Sequence, residues 1–347
     1  MSGRALVTGA TGMLGSYIAQ CLREAGWCVR ALVRSRDRQP WLEGIGAERV
    51  DGFLEDVNSL TVAARSCDVV FHAAAAIGSG GDWEKYRRGN VEGTRNVVEA
   101  AARAGARLVH VSSTAVYGAA RYHDKSTDEF TPLPELPAHD VYGRSKQEAE
   151  AVVLDAHRAG RCWGVIVRPP VMYGCRDRQF VPRVGPVLEA GLFPRIAGGR
   201  TTLALVHARH VAEGAILAAG RRTAGGKAFL LTNDFPVTVT DLIRGAEAGL
   251  KRRIYAPAVP MPVGRAGFAA LQGLLGLMGR GDLARHATGT LDMLTKDNPF
   301  TSDRARSELG WSPSITPHVG LSEAFRCWKS ARPSSKSSRS SSNSAGA

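Results

Sequence analysis

Two side chains that could transfer and control a proton stand four residues apart in the segment Tyr142-Gly-Arg-Ser-Lys146. An i, i+4 spacing places Tyr142 and Lys146 on one face of a helix. A phenol has a pKa of about 10, which is too high for efficient proton transfer at neutral pH. A nearby ammonium and a positively charged nicotinamide would favour the phenolate and lower that pKa. The pair therefore indicates acid–base chemistry, such as protonating a carbonyl oxygen while hydride reaches its carbon.

A hydroxyl that could align the same oxygen is that of Ser113, which follows the apolar run Leu108–Ser112. We predict this run to be a buried strand, and a hydroxyl at its end can hydrogen-bond a substrate oxygen. Because a tyrosine and a lysine occur at this spacing often by chance, the catalytic prediction for Ser113, Tyr142 and Lys146 depends on a cofactor site close to them.

Three glycines at i, i+3 and i+6 follow the first predicted strand, Ala5–Thr8, and open a helical pattern over Met13–Ala25. Gly9 permits a tight turn, Gly12 lets the backbone approach a pyrophosphate, and Gly15 lets the helix pack closely on a sheet. The helix N-terminus would present free N–H groups and a positive dipole end to the phosphates. The segment therefore predicts a dinucleotide site. The further contacts expected from this loop are Thr11, Met13 and Leu14.

The cofactor preference is indicated by Arg34, which follows the second predicted strand, Cys28–Val33. An acidic side chain about 20 residues beyond the last glycine would bind the ribose 2′-hydroxyl of NAD, whereas arginine suits a 2′-phosphate. Arg36 and Arg38 lie close by. We predict NADP, with NAD as the alternative. A solvated basic loop is the other interpretation of these arginines.

The elements that must position these residues alternate between short apolar runs and amphipathic stretches over the first 170 residues. This alternation predicts an α/β fold, a Rossmann-type doubly wound parallel sheet covered on both faces. The other predicted strands are Val69–His72 and Val165–Arg168, and the other helical patterns are Trp83–Ala104, Tyr142–His157 and Val206–Ala219.

Three parts of the chain follow from this pattern. We assign residues 1–170 to a dinucleotide-binding Rossmann domain. Residues 171–330, where prolines become frequent, are expected to form a smaller mixed α/β substrate lobe that partly interleaves with the first domain. The Ser-rich segment 331–347 is predicted to be a disordered tail.

Composition excludes several classes of protein. With 44% hydrophobic residues the chain can build a sizeable core, and no apolar run reaches the roughly 20 residues that span a bilayer. Six scattered cysteines without a CxxC pair suit reduced thiols. Met1–Arg4 shows no leader pattern, so we expect a cytoplasmic protein. No nucleic-acid motif accompanies the net charge of +13, and His207 and His210 have no third ligand nearby, so neither a nucleic-acid partner nor a metal site is expected.

Taken together, these residues resemble the extended short-chain dehydrogenase/reductases of the NAD-dependent epimerase/dehydratase superfamily, over about Ala5 to Trp328. Besides the glycine loop and Tyr142/Lys146, the resemblance rests on Phe71–Ala75, Asn90–Thr94, Val111–Gly118, Arg168–Gly174 and Val206–Ala212. It implies that Ser113 is the catalytic hydroxyl and Tyr142 the acid–base group. The cofactor contacts that it implies are Leu54, Ala73, Ala74, Asn90, Tyr142, Lys146 and Pro170.

Departures from the family pattern bear on the substrate. Phe53 stands where an aspartate often contacts adenine, and Val171 and Leu203 replace two polar anchors that members acting on nucleotide sugars usually carry. The sequence more closely resembles the branch of 3β-hydroxysteroid dehydrogenases and sterol-4-carboxylate 3-dehydrogenases, through Ala204–His207 and Asn298–Trp311.

An apolar stretch, Val263–Met278, has Phe268, Leu271, Leu275 and Met278 at helical spacing. It could be a core helix of the small lobe, a cover over an apolar pocket, or a contact with an anionic bilayer. The basic residues that flank the stretch or lie within it are Lys251, Arg252, Arg253, Arg265 and Arg280.

From these features we expect an NADP-linked enzyme that interconverts a secondary alcohol and a ketone on a hydrophobic, steroid-like or lipid-like small molecule. We expect a cytoplasmic homodimer, with residues 263–278 as its contact if it binds a membrane. Two alternatives stay open: a nucleotide-sugar epimerase or dehydratase that uses tightly held NAD, and a non-catalytic dinucleotide-binding scaffold.

Overall fold

The chain folds around a parallel sheet in a computed structural model that describes residues 3–34, 40–78, 81–118, 126–232, 235–279 and 295–332. The described strands are β1 (Arg4–Thr8), β2 (Cys28–Val33), β3 (Glu48–Asp51), β4 (Val69–His72), β5 (Arg107–Val111), β6 (Gly164–Arg168), β7 (Val171–Tyr173), β8 (Arg195–Ile196), β9 (Leu205–His207), β10 (Ala228–Leu230) and β11 (Ala258–Val259). Seven of them form this sheet in the order β10-β6-β5-β4-β1-β2-β3, and two short pairs, β7 with β9 and β8 with β11, lie outside it.

Helices cover both faces of the sheet, which confirms the predicted Rossmann-type fold. Within the described residues they are α1 (Met13–Glu24), α2 (Pro40–Gly44), α3 (Val57–Ala64), α4 (Trp83–Tyr86), α5 (Gly93–Ala104), α6 (Val141–Arg158), α7 (Phe180–Glu189), α8 (Ala208–Gly220), α9 (Val239–Leu250), α10 (Met261–Leu277) and α11 (Pro317–Ser330). None of these described helices is both long and apolar enough to cross a membrane.

The central strands are apolar along their whole length because each face of the sheet has its own core. In β1, Ala5 and Val7 pack into one buried cluster, whereas Leu6 points to the opposite face and joins a second cluster. Alternation of this kind follows from the two-residue period of a strand. Burying a valine or leucine fully contributes about 1.5–3 kcal/mol, so these continuous runs fix the sheet that carries the loops of the site.

The predicted helix Val206–Ala219 is wrong at its start. Residues Leu205–His207 form β9, which pairs with β7, and α8 begins only at Ala208. His207 is the last residue of β9 and caps α8, because its Nδ1 accepts a hydrogen bond of 3.3 Å from the Arg209 N–H. The predicted helix Trp83–Ala104 is also divided, since a π-helical segment, Arg87–Glu92, separates α4 from α5.

The small lobe has a core of its own. It is built by α7, α9 and α11 around residues such as Leu188, Leu242 and Phe325, all fully buried. Other parts of residues 171–330 belong to the sheet: β10 pairs with β6, and α8 packs against α1. The limits of the two domains stay a prediction. Of the predicted tail, only Ala331 and Arg332 are among the described residues.

The cysteines differ from the expectation of reduced thiols. Cys175, just after β7, forms a disulfide with Cys327 on α11, with 5.4 Å between their Cα atoms. The partners are 152 residues apart, so no local spacing could have indicated the pair. The other four cysteines are free thiols, and Cys21, Cys67 and Cys162 among them are buried.

Candidate active site

The start of α6 brings Tyr142 and Lys146 to one place. Asp140 caps this helix by accepting a hydrogen bond of 3.0 Å from the Gly143 N–H, so Tyr142 lies in the first turn and Lys146 one turn later. Gly143 allows the helix to approach closely: a Cβ there would lie 2.8 Å from the Ala115 carbonyl oxygen. The helix start therefore lies directly against the segment that follows Ser113.

Ser113 lies next to the Tyr142 hydroxyl. Ser113, two residues after β5, has an extended backbone and accepts a hydrogen bond of 3.1 Å from the Ala115 N–H. Burial raises the pKa of Tyr142 to about 12, and a hydrogen bond with Ser113 acts in the opposite direction. The Tyr142 hydroxyl therefore lies next to Ser113 and is protonated at neutral pH.

Lys146 is almost completely buried, and its ammonium donates a hydrogen bond of 2.8 Å to the Val111 carbonyl of β5. Burial lowers the pKa of Lys146 to about 8, while the carboxylate of Glu150 acts to raise it. The sequence predicted that Lys146 lowers the pKa of Tyr142. In the structure, burial has the largest effect on that hydroxyl and raises its pKa. The ammonium lies at the end of β5, close to the segment that carries Ser113.

A buried ion pair links α6 to the end of β6. Arg168, at the end of β6, donates to both carboxylate oxygens of Glu150, with distances of 2.9 and 2.6 Å, and to the Tyr117 hydroxyl at 2.7 Å. Both charged side chains are inaccessible to solvent. Sequence reasoning missed this pair. The available signal was that Glu150 follows Lys146 by four residues and so shares its helix face.

The glycine loop has the shape of a phosphate site. Gly9 has a φ of +70°, and a Cβ there would lie 2.6 Å from the Ala74 N. Gly15 packs still closer, because a Cβ would lie 2.2 Å from the Gly9 carbonyl oxygen. At Gly12, by contrast, a Cβ would meet only that oxygen, at 3.2 Å. The backbone of Gly12 is therefore open on the side from which a pyrophosphate would approach.

The start of α1 adds electrostatic complementarity to this loop. Gly12 is the N-cap, so no side chain caps the helix, and its first turn, which includes Met13 and Leu14, carries no acidic residue. Uncapped N–H groups and the positive end of the helix dipole attract an anion. The residues present therefore fit the diphosphate of a dinucleotide.

The other predicted cofactor contacts occupy different positions. Ala73 and Ala74 follow β4 and lie against Gly9. Pro170 follows β6 and is buried. Leu54 is half-buried, and its carbonyl accepts a hydrogen bond of 2.8 Å from Asn96. Their contacts with a cofactor stay predictions.

Asn90 is a bracing residue in this structure. Its Oδ1 accepts a hydrogen bond of 2.6 Å from the Ala76 N–H, and its Nδ2 donates to the Ser145 Oγ at 2.9 Å. The side chain is buried and ties the loop after β4 to α6. Asn90 can thus act on a cofactor by fixing this loop, and its direct contact stays a prediction.

The residues expected near the adenosine lie at the ends of β2 and β3. Arg34 is exposed directly after β2. Arg36 and Arg38 lie outside the described residues. Phe53 is 49% exposed, so its ring is free to stack. The contact of Arg34 with a 2′-phosphate stays a prediction.

Two buried histidines lie side by side on β4 and β5, with 5.4 Å between ring centroids. His72 is fully bonded, to Thr8 Oγ1 at 2.7 Å and to Thr94 Oγ1 at 3.1 Å, and burial lowers its pKa to about 3. His110 is 1% exposed and neither ring nitrogen has a hydrogen-bond partner. Burial, then the charge of Lys146, lowers the pKa of His110 well below its ordinary value.

We expect His110→Phe to raise the free energy of unfolding at pH 7 by about 1–3 kcal/mol, because it removes an unsatisfied buried polar group. The folded-state pKa lies below the unfolded value of about 6.5. The contribution of His110 is therefore fully present above that pH and is lost by up to about 1.4 kcal/mol per pH unit below it. Urea unfolding at pH 8, 6.5 and 5 should show a flatter pH dependence for the variant.

His139→Phe is the matched control, since His139 is exposed. This control should follow the wild-type pH dependence. If the unfolding free energies of His110→Phe and wild type ran parallel between pH 8 and 5, the assignment of His110 as a neutral buried ring would be wrong.

Comparison with known proteins agrees with this geometry. A family model described as the NAD dependent epimerase/dehydratase family matches residues 5–231. A curated relative, the 4-hydroxy-2-methyl-3-oxo-4-farnesyl-3,4-dihydroquinoline-1-oxide ketoreductase of Stigmatella aurantiaca, is 32% identical over 321 residues, which cover 92% of this chain and 94% of the relative.

A second relative belongs to the branch indicated by the sequence. The decarboxylating sterol-4-alpha-carboxylate 3-dehydrogenase of Dictyostelium discoideum is 27% identical over 328 residues, covering 91% of this chain and 98% of the relative. Among solved structures, that of gox2253 has a TM-score of 0.73 at 28% identity and covers 94% of this chain and 98% of its own. The match extends over both lobes.

Proposed function

Because the chain belongs to the NAD-dependent epimerase/dehydratase family, we propose that it is an NADP-linked oxidoreductase that interconverts a secondary alcohol and a ketone on an apolar, steroid-like or lipid-like molecule. The observation that carries this proposal is that the Tyr142 hydroxyl, at the start of α6, lies next to Ser113, which acts to lower its pKa. Buried Lys146 lies one helical turn further on.

Each residue has a distinct task in this reaction. A bound nicotinamide dinucleotide supplies hydride to the carbonyl carbon, or accepts it from the alcohol. The loop Gly9–Gly15 and the start of α1 bind the diphosphate. Ser113 aligns the substrate oxygen by a hydrogen bond. Tyr142 gives its proton to that oxygen in reduction and takes it back in oxidation. Burial raises the pKa of this hydroxyl, and the positive charges of Lys146 and of a bound oxidised nicotinamide would lower it again.

Lys146 has two tasks in the proposal. Its ammonium holds the nicotinamide ribose, and its positive charge stabilises the Tyr142 phenolate that remains after proton transfer. Burial lowers the pKa of Lys146 only to about 8, so the side chain is still mostly charged at neutral pH. The charge is held in a low-dielectric setting, where it acts strongly on nearby groups.

The two positions where polar anchors are replaced favour an apolar substrate over a nucleotide sugar. Leu203, one of the two replacements for polar anchors, is fully buried and cannot bind a diphosphate. The other, Val171, offers an apolar side chain. The Stigmatella relative is by its name a ketoreductase of a farnesyl-bearing ring, and the Dictyostelium relative a sterol-carboxylate dehydrogenase. Both names support the same substrate class.

The test is a cofactor-turnover assay on the purified full chain. We expect a 3-ketosteroid or a farnesyl-substituted cyclic ketone to drive NADPH consumption, and UDP-glucose to cause none. Epimerisation of UDP-glucose without net cofactor consumption would overturn the proposal in favour of a sugar-nucleotide enzyme. Binding of NADPH with no turnover of any ketone would favour the non-catalytic alternative.

The cofactor preference gives a separate prediction. Arg34→Ala should weaken NADPH binding about 10- to 100-fold, as expected for loss of a charge-assisted hydrogen bond to the 2′-phosphate, and leave NADH binding nearly unchanged. Fluorescence titration with both cofactors measures this. Arg65→Ala, at another exposed arginine, is the control. Equal weakening of NADH and NADPH would show that Arg34 does not read the 2′-phosphate.

A further inference from the structure

Within the described residues, one side of the helix α10 is uncovered and apolar. At 100° per residue, five of its residues fall on the side away from the protein core. We call this set the α10 face: Val263, Ala266, Ala270, Leu274 and Leu277. All five are exposed, and the exposed fraction reaches 59% for Val263, 56% for Leu274 and 89% for Leu277. Single exposed apolar residues are common, but a continuous apolar strip marks an interaction surface.

The opposite side of α10 is the one that packs on the protein. Gly264 is buried, and a Cβ there would lie 2.9 Å from the Ile196 side chain. Phe268, one turn later, packs against the small-lobe core. The helix thus has apolar residues both on its packed side and on its outer side. A helix that is apolar all round is suited to burial or to lipid, and the structure buries only one side.

Basic residues lie close to the α10 face along the chain. Between Glu247 and Asp282 the sequence contains no acidic residue. Lys251, Arg252 and Arg253, all exposed, follow α9 and lead into β11, which directly precedes α10. Arg265 is exposed on the flank of α10 itself.

An exposed aromatic ring lies in the segment that leads into α10. Tyr255 and Leu192 form an isolated β-bridge and are 72% and 55% exposed. Their segments continue into β11 and β8, and the latter carries the Ile196 that contacts α10. Tyrosine is favoured where an apolar surface meets water and lipid headgroups.

We propose that the α10 face, together with Lys251, Arg252, Arg253 and Arg265, binds an anionic lipid surface. The apolar face would enter the headgroup boundary while the cations meet lipid phosphates, the two contributions that peripheral binding combines. A second copy of this chain fits less well, because a symmetric contact through this face would bring the basic residues of both copies together. The proposal does not depend on the proposed function.

The test is flotation of the full chain with vesicles of phosphatidylcholine alone or with phosphatidylglycerol added. We expect binding to the mixed vesicles and weak binding to phosphatidylcholine. L274E/L277E should lower the bound fraction at least about tenfold, as should K251A/R253A/R265A, since each cation near an anionic surface contributes appreciably. Raising the salt concentration should release the wild-type protein.

Matched controls separate this face from general surface effects. V62E/V319E places two acidic residues at exposed valines elsewhere, and R161A/R221A/R222A removes three exposed arginines elsewhere. Both should bind vesicles like the wild type. Circular dichroism and NADPH binding of every variant establish that the fold is retained.

Three results would overturn the proposal. One is equal binding of folded L274E/L277E and wild type. Another is binding that does not depend on phosphatidylglycerol. The third is a wild-type protein that does not bind vesicles but dimerises with rising concentration in sedimentation velocity, where L274E/L277E abolishes the dimer. That result would assign the α10 face to a second copy of the chain instead.

Discussion

Tyr142→Phe is expected to lower kcat for ketone reduction by a factor of about 10²–10⁴, the usual contribution of a positioned general acid. The variant loses the hydroxyl that lies next to Ser113 and keeps the ring. NADPH affinity should change little, because the glycine loop and α1 hold the diphosphate. Steady-state kinetics with an apolar ketone and NADPH titration measure the two effects separately.

Tyr86→Phe provides the matched control for that variant. Its ring packs edge-on against Tyr142 at a centroid distance of 6.1 Å, but its hydroxyl donates to the Gly78 carbonyl. We expect this variant to retain kcat within a few-fold. A Tyr142→Phe enzyme with wild-type kcat would remove Tyr142 from the chemistry and leave only the fold and the cofactor site.

Glu150→Gln is expected to have the largest effect on stability, lowering the free energy of unfolding by about 3–5 kcal/mol. It leaves the guanidinium of Arg168 buried without a counter-charge, and breaking a buried ion pair at one partner has this magnitude. It also removes the carboxylate that raises the pKa of Lys146. Lys146 should then lose its proton at lower pH. Urea unfolding at pH 7 and a pH profile of kcat/KM measure the two consequences.

Two comparisons test the cause of that loss. Glu99→Gln breaks an exposed pair with Arg103 and should change the free energy of unfolding by less than about 0.5 kcal/mol. The double variant E150L/R168M removes both charges and should recover a large part of the stability. A Glu150→Gln protein as stable as the Glu99→Gln protein would contradict the account of the buried pair.

The sequence was sufficient for features whose signal is local. The glycine loop lies between a strand and a helix that both appear at the predicted places, because apolar continuity and helical periodicity identify such elements directly. Ser113 and Tyr142 could be joined for a similar reason. A strand end and the N-terminal turn of a later helix meet at the carboxyl edge of a parallel sheet.

The features that were missed depend on tertiary contacts. β3, Glu48–Asp51, is short and carries two charged ends, and it exists because it pairs with β2 at the edge of the sheet. The Glu150–Arg168 pair joins a helix to a strand end, and Cys175–Cys327 joins two parts of the small lobe. No spacing within one element reports such pairings. The order of strands and the packing of helices determine them.

Sequence and structure also disagree on electrostatics for a physical reason. The i, i+4 spacing of Tyr142 and Lys146 predicted a lowered phenol pKa, because spacing conveys proximity but not desolvation. In the structure burial acts on both groups, raising the pKa of Tyr142 and lowering that of Lys146. The ammonium bonds to the Val111 carbonyl. Dinucleotide binding would bring the ribose hydroxyls to Lys146 as further partners.

A crystal structure of the full chain with NADP and an apolar ketone tests the central claim most directly. The account predicts the diphosphate on Gly9–Gly15 and the ketone oxygen within about 3 Å of the Tyr142 hydroxyl, with Lys146 at the ribose. A complex in which the nicotinamide lies away from Tyr142, or in which that hydroxyl turns to solvent, would contradict it.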